Sequence, residues 1–172
     1  MSAPYALLIV LVAGERLAEL VVSRRNAAWS MGRGGREYGA RHYPPMVALH
    51  TALLAGAPLE VALAHRPFVA ALGWPMLVLV LASQALRWWC ITTLGPRWNT
   101  RVIVVAGLPL VTGGPYRLLR HPNYVAVVTE GVALPLVHTA WVTALVFTVL
   151  NAALLRVRIR TEDAALAGVR SG

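Results

Sequence analysis

The chain has 172 residues, of which 58% are hydrophobic and only 13% charged; soluble domains carry about 25% charged residues, so a water-soluble globular domain is excluded. All 16 basic residues are arginine against seven acidic ones, a net charge of +9, and where the arginines fall decides between a nucleic-acid surface and membrane topology. The single cysteine, Cys90, excludes an internal disulfide and a thiolate metal cluster, and no metal site is expected.

Residues 3–22 form an apolar run about 30 Å long as a helix, enough to cross the hydrocarbon layer. No basic residue precedes it and Glu15, Arg16 and Glu19 lie within it, so it is expected as a retained first span rather than a cleaved signal. Glu15 and Glu19 share a helical face, which should turn toward the protein interior. Residues 45–64 make the second span, with Pro44 and Pro45 suited to a first helical turn. After a turn at His65, Arg66 and Pro67, residues 68–89 make the third, ending in Arg87, Trp88 and Trp89, an aromatic pair beside a cation as at a membrane interface.

Residues 90–121 are expected as a cytoplasmic functional loop: their apolar run, residues 102–111, is too short to span, and the stretch is too apolar to be disordered. Pro122 opens a fourth span, residues 122–137, and residues 139–155 return as the fifth, a C-terminal helical hairpin whose inner ends bring His121 toward the segment 156–163. The fold class is therefore an all-α integral membrane protein of about five transmembrane helices, a single polytopic domain over 1–172 with a cytoplasmic cofactor pocket.

Fourteen of the sixteen arginines fall in alternate connections: Arg24, Arg25, Arg33, Arg36 and Arg41; Arg87, Arg97, Arg101, Arg117 and Arg120; Arg156, Arg158, Arg160 and Arg170. An odd number of spans, with the N-terminus outside and the C-terminus cytoplasmic, satisfies the positive-inside tendency. Membrane lipid, not nucleic acid, is the expected partner, and the arginine-only composition suggests a bacterial inner membrane.

Two segments carry candidate chemistry. In Gly113-Gly114-Pro115-Tyr116-Arg117-Leu118-Leu119-Arg120-His121-Pro122-Asn123-Tyr124, glycine-rich backbone precedes a helix N-terminus, where free N–H groups and the helix dipole favour an anionic group. In Arg156-Val157-Arg158-Ile159-Arg160-Thr161-Glu162-Asp163, Arg158 and Glu162 share a face, and the two acids offer partners to a cationic ligand group. Both segments also read as ordinary juxtamembrane surface.

The pair Arg120-His121-Pro122-x-Tyr124, preceded by Gly114-Pro115-Tyr116, and Arg158…Glu162-Asp163-x-x-Leu166 resembles the isoprenylcysteine carboxyl methyltransferase family of membrane enzymes. Trp98-Asn99-Thr100-Arg101 also looks like the segment that bacterial members carry upstream. The resemblance implies S-adenosylmethionine as cofactor, held by Gly114, Tyr116, His121, Pro122, Tyr124, Glu162 and Asp163, and methyl transfer to an oxygen of a lipophilic acceptor. Arg158 and Arg156 are the candidate catalytic pair, and Trp88, Glu130 and Asn151 are candidates for contact with the acceptor. Eukaryotic members of the family methylate prenylated cysteine carboxylates, and some bacterial look-alikes are thought to methylate hydroxyls of lipid-like polyketides. In-line transfer from a sulfonium needs positioning and exclusion of water rather than a covalent intermediate. Two departures stand out: Ala126 occupies the usual glycine two residues after the motif tyrosine, and the sequence runs to Gly172 without the family's aromatic tail.

Two other classes fit parts of the sequence. An NADPH-dependent sterol-type reductase shares the His-Pro-Asn-Tyr stretch, but here Ala126 and Val127 replace its Gly-Glu and Gly131 follows Glu130 in place of tryptophan. A membrane scaffold or small transporter explains the hydropathy and leaves the clustered His, Tyr and acids unexplained.

Overall fold

A computed structural model describes residues 2–170; the side chains of Val169 and Arg170 lie outside the described residues. Five helices dominate: α1 (Ala3–Met31), α2 (Tyr43–Leu63), α3 (Ala70–Leu94), α4 (Pro122–Leu136) and α5 (Trp141–Arg170). Three helical stretches, Ala40–Leu63, Ala70–Arg97 and Trp141–Gly168, are long and apolar enough to cross a membrane. Leu7, Leu11, Val78, Leu81, Leu145 and Val149 point outward, each more than half exposed; large apolar side chains on the outside of every long helix suit lipid rather than water.

Several elements depart from their expected bounds. The run over 3–22 continues as helix to Met31, because nothing in Ser23–Ser30 breaks it and buried Ser23 and Ser30 pack inward. α3 starts later than residue 68 and runs past 89 to Leu94, where Gly95, at φ 54°, ends it in a conformation that favours glycine. Residues 90–94 of the expected loop are thus helical. α5 begins at Trp141, not 139, because Thr139 takes a positive φ in the tight turn, and it continues unbroken through the whole charged segment to Arg170. The fold is not purely helical either: β1 (Arg36–Tyr38) pairs antiparallel with β2 (Val102–Val104), Glu37 opposite Ile103.

That strand pair ties together the α1–α2 and α3–α4 connections, both arginine-rich, at one end of the bundle, where α5 also ends. The two arginine-rich connections and the end of α5 therefore lie together, while Arg87 is buried within the bundle. At the other end Tyr5, Ile9 and Val12 of α1 pack with Val61, Val80, Ala133 and Leu134 into the dry core. α4 and α5 approach closely beside it: a Cβ on Gly131 would lie 2.0 Å from the Phe147 ring, so only glycine admits that contact. Close packing at one end leaves the arginine-rich end free to hold cavities.

Candidate functional site

The α3–α4 connection is fixed by hydrogen bonds with the side chains of Ser23 and Asn26 on α1. The Ser23 hydroxyl donates to Asn99 Oδ1 at 2.8 Å and accepts from the Thr100 N–H at 3.0 Å. The Asn26 amide donates to the carbonyls of Trp98 and Gly95 at 2.7 and 3.1 Å. Farther along, the Arg97 guanidinium donates to the Pro109 carbonyl at 2.5 Å and so closes the apolar loop back on itself. These bonds satisfy backbone groups that the loop would otherwise leave unpaired, and they aim the Thr100 carbonyl at the bundle axis.

Arg158, on α5 and almost fully buried, meets that carbonyl: Nη2 donates to Thr100 O at 2.5 Å, Nε to the Tyr124 hydroxyl at 2.9 Å, and Nη1 lies 3.3 Å from Met46 Sδ. Tyr124, in the first turn of α4, donates in its turn to Glu162 Oε2. His121, just before Pro122, stacks on Tyr124 with ring centroids 5.4 Å apart; its Nε2 lies 3.3 Å from Asp163 Oδ1 and its Nδ1 4.0 Å from Glu162 Oε1. Arg120 Nη2 stands 3.7 Å from the same Asp163 oxygen. The two segments singled out in the sequence, on α4 and α5, are therefore in direct contact.

Two cavities flank this contact. One, of about 420 Å³, lies under the connection and is lined by Trp98, Val102–Val105, Leu108–Thr112, Tyr116, His121, Tyr124, Glu162 and Asp163. The other, of about 340 Å³, lies among α1, α2, α4 and α5, lined by apolar side chains together with Arg16, Glu19, His50, Arg87 and Asn151. Trp98, Asn123, Tyr124 and Arg158 border both. Volumes of this size are those of small-molecule sites. Trp98 Nε1 and Asn123 Oδ1, on two of these shared residues, are buried with no hydrogen-bond partner among the described residues.

The remaining expected residues fall in different surroundings. Tyr116 lines the larger cavity, where burial first and the adjacent Cys90 thiol second push its phenol well above its ordinary range and keep it neutral. Gly114 does not line it; at φ 54° it presses against α3, where a Cβ would meet Thr93 Oγ1 at 2.4 Å. Asn151 is buried on the smaller cavity. Glu130 accepts from Arg87 at 2.5 Å and from Arg16 at 2.9 Å and lines neither cavity. Trp88 sits on the outer surface, donating from its indole N–H to Glu15, and Arg156 is exposed away from both cavities. The sequence does not single out Asn123, Met46 or His50 as site residues, and it offers Thr100 only within the Trp98-Asn99-Thr100-Arg101 segment. Thr100 acts through its carbonyl, which leaves no side-chain signature, whereas Asn123 lay inside the quoted His-Pro-x-Tyr stretch and was legible there.

The model of the isoprenylcysteine carboxyl methyltransferase (ICMT) family matches residues 76–168, more than half the chain and both halves of the motif pair. An uncharacterized protein of Bacillus subtilis (strain 168), YpbQ, is 39% identical over 161 residues, covering 93% of this chain and 95% of that one. An uncharacterized protein of Haemophilus influenzae is 25% identical over 152 residues, 88% of each chain. No solved structure gives a significant match.

Proposed function

The chain belongs to the isoprenylcysteine carboxyl methyltransferase family, and on that premise we propose that it is an S-adenosylmethionine-dependent O-methyltransferase acting on a lipophilic acceptor within the membrane. One observation carries the reading: Tyr124 and Arg158 form the wall between a cavity that bears Glu162 and Asp163 at the arginine-rich end and a second, more apolar cavity among the helices. Methyl transfer from a soluble cationic cofactor to a membrane-dissolved oxygen needs two such compartments meeting at one point.

The residues suit the cofactor. Glu162 and Asp163 offer carboxylates to a sulfonium and an ammonium group, Tyr116 and the apolar loop residues Val105 and Leu108 offer a surface to a base, and His121 offers a polar contact. S-adenosylmethionine, when bound, supplies an electrophilic methyl on sulfur. Arg158 holds the accepting oxygen: its guanidinium, already oriented by Tyr124 and the Thr100 carbonyl, presents a fixed cation to a carboxylate or an ionising hydroxyl. Because Arg158 is buried, that attraction acts with little solvent screening. The apolar lining of the second cavity excludes water from the accepting oxygen. The glycine replaced by Ala126 makes no difference to the wall, since the Ala126 side chain is fully buried away from both cavities.

We take all five helices to cross a bacterial inner membrane, with the arginine-rich end in the cytoplasm. α4, at 15 residues, is shorter than a full span and is flanked by α3 and α5, which shield its ends. The test is binding and turnover in lipid nanodiscs. S-adenosylhomocysteine should bind stoichiometrically in calorimetry, and radiolabelled methyl from S-adenosylmethionine should appear in the organic extract of membranes containing the protein. A folded protein that binds neither compound is not a methyltransferase of this type.

A further inference from the structure

Two polar side chains on the apolar cavity take no part in the methyl-transfer reading. Asn151 of α5 lines that cavity and is only 3% exposed, yet its amide bonds to no other described residue. A buried amide that served packing alone would be expected to find a partner. Neither of its polar atoms is sealed: among the described residues, the buried unpartnered side-chain atoms closed to water belong to Arg16, Glu19, Gln84, Arg87, Trp98 and Asn123. His50 of α2 is the second. Its Nδ1 lies 2.8 Å from the Met46 carbonyl, which can only accept, so Nδ1 carries the ring hydrogen and Nε2 of the neutral ring is a bare acceptor. Nε2 bonds to no other described residue and is not sealed either.

Helical spacing aims both groups inward. Met46, His50 and Leu54 border the cavity at every fourth residue of α2, and Asn151, Leu155 and Arg158 do so on α5, each set forming one helical face. Because Nδ1 is bonded back to the preceding turn of α2, Nε2, on the far side of the ring, points away from that helix. The two helices meet at this level: the His50 ring packs edge-on against Phe147 with centroids 5.3 Å apart, and Asn151 is one turn farther along α5 on the same face as Phe147.

The chemistry of the pair states what would complete it. The bare ring nitrogen needs a hydrogen donor, and the amide supplies N–H groups that need an acceptor; a hydroxyl is both at once, whereas a ketone can use the amide alone and a carboxylate offers His50 nothing. Asn151 precedes Arg158 by seven residues, a rise of about 10 Å along α5, and the Arg158 guanidinium is tied to the Thr100 carbonyl at the arginine-rich end. The group that meets Asn151 is therefore a different one from the oxygen held by Arg158.

We propose that His50 and Asn151 form an acceptor-recognition site for a hydroxyl carried on the acceptor's chain, apart from the oxygen that takes the methyl group; this hydroxyl donates to His50 Nε2 and accepts from the Asn151 amide. The proposal rests on the reading above, in which the reacting oxygen lies at Arg158. It makes the acceptor a hydroxylated chain instead of a plain hydrocarbon tail.

The test uses hexadecanoic acid, three analogues bearing one hydroxyl near the carboxylate, near the middle or near the tail, and the mid-chain ketone. Displacement of a fluorescent fatty acid from the full-length protein in nanodiscs, without cofactor, gives relative affinities; a parallel arm with S-adenosylmethionine measures methyl ester formation. The mid-chain alcohol should bind about tenfold more tightly than the parent acid, and the ketone should fall between them. Asn151→Leu and His50→Phe keep the packed volume and each remove one of the two bonds, so each should cut that ratio to roughly threefold or less. Equal affinity for all five acids in the wild-type protein, as expected if water alone occupies this end of the cavity, overturns the proposal whether or not the variants fold. An undiminished ratio in both folded variants overturns it too, and so does a ketone that binds as tightly as the alcohol, because a site built on the His50 lone pair needs a donor. A mid-chain preference without methyl ester formation leaves this site standing and removes carboxylate methylation from the proposed function. Ester formation at equal rates and affinities for all five acids does the reverse.

Discussion

The Arg158 Nε–H meets the Tyr124 hydroxyl at 2.9 Å, and the same hydroxyl donates to Glu162. One phenol therefore couples a cation that borders both cavities to a carboxylate on the larger one.

Tyr124→Phe keeps the ring that stacks on His121 and removes that coupling. Buried hydrogen bonds to charged groups are worth about 1.5–3 kcal/mol, so the rate of methyl transfer should fall roughly tenfold to a hundredfold. Affinity for S-adenosylhomocysteine should fall less, because Glu162 and Asp163 remain. Single-turnover rates compared with calorimetric affinities separate the two effects; an unchanged rate removes Tyr124 from the site.

His121→Ala should act mainly on the cofactor. The imidazole stacks on Tyr124 and stands 3.3 Å from Asp163, so its loss frees the acidic pair and opens the floor of the larger cavity. The expected result is weaker binding of S-adenosylhomocysteine in calorimetry, by roughly tenfold, with the protein still folded. Unchanged affinity in a folded variant would sink the assignment of this cavity to the cofactor.

Gly114→Ala tests a residue that the family resemblance assigns to the cofactor and that the geometry gives to the fold. Alanine at φ 54° is strained, and its Cβ would collide with Thr93 on α3. Overpacking and backbone strain of this kind cost about 1–3 kcal/mol. The thermal transition should drop, while the affinity of the folded fraction for S-adenosylhomocysteine stays close to wild type. A normal transition with lost affinity would instead return Gly114 to the cofactor.

The legible parts of this chain were those that the membrane dictates. Proline at helix starts and the alternation of arginine clusters located α2, α4 and the shared arginine-rich end, since both follow from local chemistry. The contact between His121 and Asp163 was readable because a short hairpin must return its ends to one place. The strand pair was not: three residues on each side, Arg36–Tyr38 and Val102–Val104, carry no periodicity, and the pairing joins segments more than sixty residues apart. Nor was the partnership of Arg16 with Glu130, because helical spacing relates Arg16 only to neighbours such as Glu19, and its distant partner depends on how α1 meets α4. Arg156 and Trp88 show the converse limit, in which a charge or an aromatic at a boundary reads the same whether it faces lipid or a site.

Orientation has its own test. Arg36 is exposed on β1 at the arginine-rich end, and the native Cys90 is fully buried, so a cysteine introduced by Arg36→Cys is the one that reports. It should react with a membrane-impermeant maleimide only after the inner face is opened. Labelling from the outer face of intact cells would refute the proposed orientation.

Arg158→Lys separates geometry from charge at the centre of the site. The arginine spends its planar fork on three partners from three elements, Tyr124, the Thr100 carbonyl and Met46, and it does so almost fully buried. A topology-setting arginine would need none of these and would lie exposed, as Arg156 does. Lysine retains the positive charge at the same height in the bundle but offers a single point of donation, so it cannot hold Tyr124 and Thr100 while also presenting a cation to the acceptor. An interaction made only with the reacting oxygen in the transition state lowers kcat and kcat/KM together, whereas a lock on Glu162 through Tyr124 chiefly weakens the cofactor. The guanidinium reaches Glu162 only through the Tyr124 phenol. The expected outcome is therefore a loss of roughly a hundredfold in kcat and in kcat/KM alike, with cofactor affinity lowered severalfold. Normal insertion with wild-type methylation and unchanged cofactor affinity would reduce Arg158 to a topology signal and leave the two cavities without a link.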